Sequence, residues 1–257
     1  MMKITFLGTG TSQGVPIIGC ECEVCRSIDF RDKRLRSSIH IETNDQKSLI
    51  IDSGPDFRQQ VLRERITKLD GLIFTHQHKD HTAGMDDIRG FYFLNDMKPI
   101  NLYGTEGVFN QLKQEFSYMF VEDKYPGVPS VELHEVRKNE TFTIGDTTLS
   151  PVEVWHRKLA VMGYRINNFA YITDANKIEE DQMQKLQNLD VLVLNALQHK
   201  PHQSHFTLAE ALDVIKILKP KKAYLTHISH RLGLHSEVEK SLPENVSLAY
   251  DGLSITL

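Results

Sequence analysis

The sequence predicts an α/β fold, with strands and helices interspersed from end to end. Short β-branched or apolar runs recur along the whole chain, each bounded by Gly, Pro, Asn or Asp. Between them lie a few segments whose apolar residues repeat at helical spacing. No internal repeat, low-complexity tract or linker divides the 257 residues. That length fits one large domain or two small ones and can bury a substantial core, and we read residues 1–257 as a single domain.

The strand-like runs are 4–7, 38–41, 48–51, 72–74, 100–103, 131–136, 148–154, 162–166, 169–172, 191–194, 223–225 and 254–257. The helical segments are 57–66, with Val61, Leu62 and Ile66 on one side, and 106–119, with Val108, Phe109, Leu112 and Phe116. Residues 179–189 and 208–218 also fit a period of about 3.6. Thr207 is the N-cap of the last, Glu210 completes a capping box, and Pro220 stands just past the end as a stop. Two stretches read as loop excursions: 19–36, rich in Arg, Lys and Asp and holding every cysteine, and 92–129, with aromatics, Gly, Pro and one helix.

The composition is that of a soluble globular protein, 40% hydrophobic and 25% charged. A net charge of −4 gives no support for broad nucleic-acid binding, which needs a basic face. No run reaches the roughly 18 apolar residues of a membrane helix. The opening Met1-Met2-Lys3-Ile4-Thr5-Phe6-Leu7-Gly8 is too short for a signal peptide and reads as a first strand ending in a turn. The expected location is the cytoplasm. Cys20, Cys22 and Cys25 are a poor disulfide framework. In a reducing compartment such a cluster is more often a metal site.

The strand run Leu72-Ile73-Phe74 leads through Thr75 into His76-Gln77-His78-Lys79-Asp80-His81. His76 and His78 are two apart, so extended backbone points them the same way. Asp80 and His81 are adjacent, so a turn must bring both to the same region. A loop doing this can supply two metals rather than one. Imidazole with carboxylate suits zinc, manganese or iron. A solvated His-rich loop is the bland reading, and the spacing after a hydrophobic strand argues against it.

His-x-His-x-Asp-His after a strand resembles the signature of the metallo-β-lactamase superfamily. The resemblance implies a four-layer αβ/βα sandwich with a dinuclear metal site at one edge. It further implies ligands at later strand ends, in the family's order. His156 closes Val152-Glu153-Val154-Trp155, Asp174 follows Tyr171-Ile172-Thr173, and His227 follows Ala223-Tyr224-Leu225-Thr226. By resemblance, His76, His78 and His156 hold one metal, Asp80, His81 and His227 the other, and Asp174 bridges them. Leu49-Ile50-Ile51-Asp52-Ser53-Gly54 resembles the family's Asp-x-Gly element, which implies that Asp52 orients the cluster without binding metal.

Gly8-Thr9-Gly10-Thr11-Ser12-Gln13-Gly14-Val15-Pro16 followed by Cys-x-Cys-x-x-Cys resembles the PhnP branch, as does His81-Thr82-Ala83-Gly84-Met85-Asp86-Asp87-Ile88-Arg89. That branch implies a structural zinc outside the active site, held here by Cys20, Cys22, Cys25 and His230 in an insertion near 19–36. It implies a phosphodiesterase in which two divalent metals, zinc or manganese, activate a hydroxide against a small cyclic (ribose) phosphate. His205 resembles the non-ligand histidine of such enzymes, a proton donor to the leaving oxygen. His199 and His202 compete for that role; His205 is preferred because it abuts the N-cap Thr207. A homodimer is consistent with the branch, with no membrane or nucleic-acid partner. The rival enzyme readings are a tRNase Z-like RNA phosphodiesterase and a thioesterase or glyoxalase-type hydrolase. The non-enzyme rival is a metal-binding interaction module.

The insertion has little apolar content, so a structural zinc would order it. Cys22→Ala is therefore expected to lower both bound zinc and thermal stability, measured by metal analysis and a melting curve. Unchanged values of both would remove the structural zinc.

Overall fold

The computed structural model describes residues 1–257 as two seven-stranded mixed sheets packed face to face. The first sheet has the order β14-β1-β2-β3-β4-β5-β6. Its strands are β1 (Lys3–Gly8), β2 (Ser38–Glu42), β3 (Ser48–Ile51), β4 (Gly71–Ile73), β5 (Ile100–Gly104), β6 (Val131–Glu135) and β14 (Ser254–Thr256). The second has the order β13-β12-β11-β10-β9-β8-β7. It comprises β7 (Phe142–Ile144), β8 (Thr147–His156), β9 (Leu159–Ile166), β10 (Phe169–Ile172), β11 (Val191–Asn195), β12 (Lys222–Thr226) and β13 (Val246–Leu248).

The period-2 alternation of side chains assigns each strand's residues to two layers. Ile39, Ile41, Leu49, Ile51 and Ile73 from one sheet meet Met162, Tyr164, Phe169, Tyr171 and Val193 from the other. Their neighbours Ile50, Leu72 and Leu102 face outward onto α2 (Phe57–Glu64), α4 (Arg89–Leu94) and α5 (Glu106–Glu115), through Phe57, Phe91 and Leu112. On the far side Leu192, Leu194, Ala223 and Leu225 pack against Leu208, Ala211 and Ile215 of α7 (Leu208–Leu218). The four layers are thus helix, sheet, sheet, helix, the expected sandwich. The remaining helices are short: α1 (Glu23–Arg26), α3 (Lys79–Thr82), α6 (Glu180–Gln184) and α8 (His235–Val238).

The expected elements are found, with displaced ends. The helix at 57–66 stops at Glu64 because Arg65 turns left-handed at φ 55°. The helix at 106–119 stops at Glu115, and residues 117–119 tighten into a 3-10 turn. The segment 179–189 keeps helix only over α6. Thr207 caps α7 through the expected capping box with Glu210. Strands β7 and β13, three residues each, had no periodic signal long enough to read.

β3 and β4 run parallel, as do β10, β11 and β12. Open α/β sheets gather their ligands outside such carboxyl ends. Asp52 follows β3, Thr75 and His76 follow β4 through Phe74, and His156 ends β8. Asp174 follows β10 through Thr173, and His227 follows β12 directly. Asp52, Asp174 and His227 turn off their strands in the left-handed region, at φ 65°, 58° and 55°, where few non-glycine residues sit. The polypeptide bends sharply there and aims side chains into one place.

Two glycines let the ligand loop seat. A Cβ on Gly54 would overlap the carbonyl oxygen of Asp80, and one on Gly84 would overlap that of Gly54. Backbone cannot yield there as a flexible side chain would. Gly84→Ala is expected to cost about 1–3 kcal/mol of stability in denaturant unfolding and to displace the 76–81 loop; an unchanged midpoint would show that the close approach is not required.

Candidate active site

The loop after β4 places its ligands in two ways. His76 is buried three residues past the end of β4, and His78 is the exposed N-cap of α3. Asp80 and His81 then lie in the first turn of α3, so the adjacent pair reaches one region, as the turn requires. His76 Nε2 lies 3.0 Å from His78 Nδ1 and 4.0 Å from Asp174 Oδ2. His81 Nε2 lies 3.2 Å from Asp80 Oδ2 and 3.3 Å from Asp174 Oδ1. His156 arrives from the second sheet, its ring centroid 5.8 Å from that of His76 and 5.1 Å from that of His78. The ring of His227 stacks 5.9 Å from that of His81. The structure therefore brings His76, His78, Asp80, His81, His156, Asp174 and His227 into one cluster.

Hydrogen bonds on the outer nitrogens fix how these rings present themselves. His81 Nδ1 donates to Asp52 Oδ2 at 2.7 Å. Thr75 gives Asp52 its backbone N–H and its hydroxyl, both at 2.8 Å. That hydroxyl, its own proton committed, accepts from His76 Nδ1 at 3.0 Å. His156 Nδ1 donates to the carbonyls of Asp174 and Ser204 at 3.1 and 2.9 Å. A neutral imidazole whose Nδ1 donates has a bare Nε2. So in His76 and His156 the lone pair is on Nε2, and His81, whose Nε2 faces the Asp80 and Asp174 carboxylates, presents a lone pair there only once a cation replaces its second proton. Asn195 braces the same region: its amide exchanges two hydrogen bonds, 2.7 and 2.9 Å, with the backbone of Ala175, next to Asp174.

The electrostatics follow from burial and crowding. Burial opposes charge on His81, yet the carboxylates of Asp174, Asp52 and Asp80 hold its pKa well above the ordinary value. Burial and then the neighbouring His81 push His76 well below. Burial works against ionised Asp174, and His227 and His81 outweigh it, holding the carboxyl well below its usual range. Burial alone would raise Asp80; His81 lowers it.

Divalent ions fit this donor set. Asp80, His81, Asp174 and His227 bring ligand atoms within 4.8 Å of one another, as do His156, Asp174 and His205. Among the expected ligands, His81 Nε2 and His227 Nε2 are buried with no hydrogen-bond partner. Such orphaned atoms cost about 1–3 kcal/mol each, and a cation among them removes the deficit.

The three histidines considered for proton transfer separate clearly. His199 is exposed, and its Nε2 donates to the Leu232 carbonyl at 2.9 Å, away from the cluster. His202 is exposed and stacks 5.1 Å from His205. His205 is buried, with its ring 4.5 Å from His156 and 4.7 Å from His227, and its Nδ1 3.8 Å from Asp174 Oδ2. Burial and then His227 push its pKa down to about 2.

The cysteines form a second, separate cluster. The sulfurs of Cys20, Cys22 and Cys25 lie 3.3, 3.3 and 3.6 Å from His230 Nδ1. Backbone N–H groups of Cys25 and Ile17 point at the sulfurs of Cys22 and Cys25. The hydrogen bond from Cys25 lowers Cys22 to a pKa of about 6, whereas burial raises Cys25 to about 11. Four N/S donors at this separation fit one tetrahedral zinc.

Sequence reasoning missed Thr75, Ser37 and Asn195. Thr75 could have been found as the hydroxyl directly before the cluster. Ser37 and Asn195 are single polar residues in strand-like surroundings, with no spacing to mark them.

A family model described as a beta-lactamase superfamily domain matches residues 47–228. A relative from Porphyromonas gingivalis (strain ATCC BAA-308 / W83), named octanoyltransferase, is 38% identical over 253 residues, 98% of this chain and 51% of its own. The chain thus spans about half the length of that relative. A crystal structure described as a new diphosphatase from the PhnP family is 40% identical and superposes with a TM-score of 0.93, covering 100% of this chain and 98% of that one. The Zn(2+)-bound PqqB of Methylobacterium extorquens, 18% identical with a TM-score of 0.78 over 99% of this chain and 100% of its own, shares the fold. With the family model over most of its length and so similar a structure over all of it, this chain belongs to the metallo-β-lactamase superfamily, in its PhnP-like branch.

Proposed function

We propose that the protein is a metal-dependent phosphoric diester hydrolase acting on a small cyclic (ribose) phosphate. The observation that carries this reading is the convergence of bare imidazole nitrogens and two carboxylates on one centre, with His205 beside it. The diphosphatase description of the 40%-identical structure supports chemistry at phosphorus.

In this reading His76, His78 and His156 hold one divalent ion, Asp80, His81 and His227 the other, and Asp174 lies between. When bound there, zinc or manganese would supply Lewis acidity and lower the pKa of a water. The rest is the work of side chains. Asp52 and Thr75 lock the rings of His81 and His76, so the centre needs no reorganisation when charge develops. As a ligand, Asp80 is not free to serve as a general base. His205 is neutral in the ligand-free site; an arriving phosphoryl anion favours its protonated form, so the proton for the leaving oxygen is taken up with the substrate. In the same reading, Cys20, Cys22, Cys25 and His230 hold a structural zinc.

No helix is long and apolar enough to cross a membrane. We place the protein in the cytoplasm, with a homodimer as its assembly and no nucleic-acid or membrane partner. The name of the Porphyromonas relative favours a second reading, acyl-thioester chemistry. About half of that relative lies outside the match, and an octanoyl transfer activity can reside there.

Bis(p-nitrophenyl) phosphate, a ribose cyclic phosphate and an octanoyl thioester separate these readings. Turnover of the two phosphodiesters is expected, lost on chelation and restored by zinc or manganese. Turnover of the thioester alone would replace the proposal with the second reading. His205→Ala is expected to lower kcat on the cyclic phosphate by about 10²–10⁴-fold, measured at saturating substrate. The loss should be much smaller with p-nitrophenolate, which leaves without a proton. Equal losses on both substrates would deny His205 the role of acid.

A further inference from the structure

The loop Gly8–Pro16 contributes no ligand to either cluster, yet it packs against the segment bearing His227. We infer that Ser37, oriented by the Gly10 carbonyl, is the positioning residue that fixes the His227 tautomer and leaves Nε2 as its lone-pair nitrogen. This rests on the reading above that the cluster holds metal.

Ser37 is 1% exposed, so water is not available to replace its partners. Its hydroxyl donates to the Gly10 carbonyl at 2.9 Å. His227 Nδ1 lies 3.2 Å from the same oxygen. A hydroxyl has one proton and two lone pairs. With the proton given to Gly10, Ser37 offers His227 only a lone pair, so Nδ1 must carry the hydrogen. The neutral ring has no second proton, and Nε2, buried and without a partner, is left bare. Asp174 Oδ1 also approaches Nδ1, at 3.1 Å, but outside hydrogen-bond alignment, so Ser37 is the acceptor.

Backbone pairing holds the relay rigid. Gly10 N–H donates to Leu35 O at 2.7 Å, Thr11 N–H to Ile228 O at 3.2 Å, and Ile228 N–H to Thr9 O at 2.8 Å. The residue after His227 is therefore clamped to both sides of Gly10. A Cβ on Gly10 would stand 2.7 Å from the Arg34 carbonyl, so only glycine brings that carbonyl to Ser37. The relay explains why a glycine-rich loop with no ligand of its own sits beside the site. It also completes a pattern: Asp52 serves His81, Thr75 serves His76, backbone carbonyls serve His156, and Ser37 serves His227.

The test is the protonation state of His227, read from two-bond ¹H–¹⁵N couplings in the full-length ¹⁵N-labelled protein, zinc-free and zinc-loaded, together with zinc affinity from chelator competition. Wild type is expected to carry the proton on Nδ1 in both states. Ser37→Ala is expected to lose that preference and to weaken the active-site zinc by about ten- to a hundredfold, the usual effect of removing a partner behind a ligand. Ser37→Thr, which keeps the hydroxyl, should recover most of both. A proton on Nε2 of wild-type His227 overturns the inference without any variant, even if Ser37→Ala does not fold. So does a folded Ser37→Ala with unchanged tautomer and zinc affinity. Should wild type bind no zinc outside the cysteine cluster, the metal reading falls, and the zinc-free tautomer still decides the role of Ser37.

Discussion

Everything at the ligand edge hangs on one fully buried carboxylate. Asp52 is 0% exposed, and burial pushes its pKa upward. An isolated ionised carboxylate there would cost several kcal/mol after relaxation. Three donors compensate it: Thr75 N–H, the Thr75 hydroxyl and His81 Nδ1. The backbone around it is tied as well, with its N–H on Ile73 O and its carbonyl accepting from the Ser38 hydroxyl. The chain at the end of β3 is thereby stitched to β2 and β4, and the bond to His81 extends that stitching into α3. A residue that binds no metal thus sets the direction of two histidines that do in our reading.

The same accounting explains the uneven charges in the cluster. Ionised Asp80 and Asp174 need nearby positive charge, and without a cation the only source is imidazole. His81, touching both and Asp52 as well, is driven toward the protonated form, while His76, crowded against it, is driven away. His205 is kept neutral by burial and by His227. Metal-free, the site concentrates its positive charge in one ring. Divalent ions relieve that arrangement at the place where carboxylate oxygens and bare Nε2 atoms already converge. The fold thus stabilises a centre whose parts are unfavourable separately and compatible only together.

How much of this was legible in the sequence depends on whether a signal was local. His76, His78, Asp80 and His81 announce themselves because one turn places them together. His156, Asp174 and His227 are legible only as strand ends in a familiar order; nothing local marks them, since their proximity arises from the pairing of distant strands. The stretch 199–205 offered three histidines, and only the adjacent N-cap Thr207 favoured His205 among them. The choice is made by burial, with His205 packed under His156 and beside Asp174 and His199 turned to Leu232. α3 was invisible because its residues are spent on ligands and carry no apolar period. Ser37 was invisible because its value lies in a hydroxyl meeting a histidine 190 positions away.

The cysteine cluster connects to the active site by a short and specific route. His227 and His230 are three residues apart, and the two residues between them are buried. Ile228 N–H pairs with Thr9 O, and Ser229 N–H pairs with Leu197 O. The Ser229 hydroxyl donates to the same Leu197 carbonyl at 2.9 Å. Neither residue can shift alone without stranding a buried backbone group, a penalty of about 1–3 kcal/mol. A displacement of His230 must therefore move the Gly8–Gly10 loop and the chain after β11 together, or not reach His227 at all. Leu197 begins the stretch that ends in His205, and Thr9 adjoins the carbonyl that holds Ser37. The cysteine cluster thus braces, through one pair of residues, both flanks of the active site.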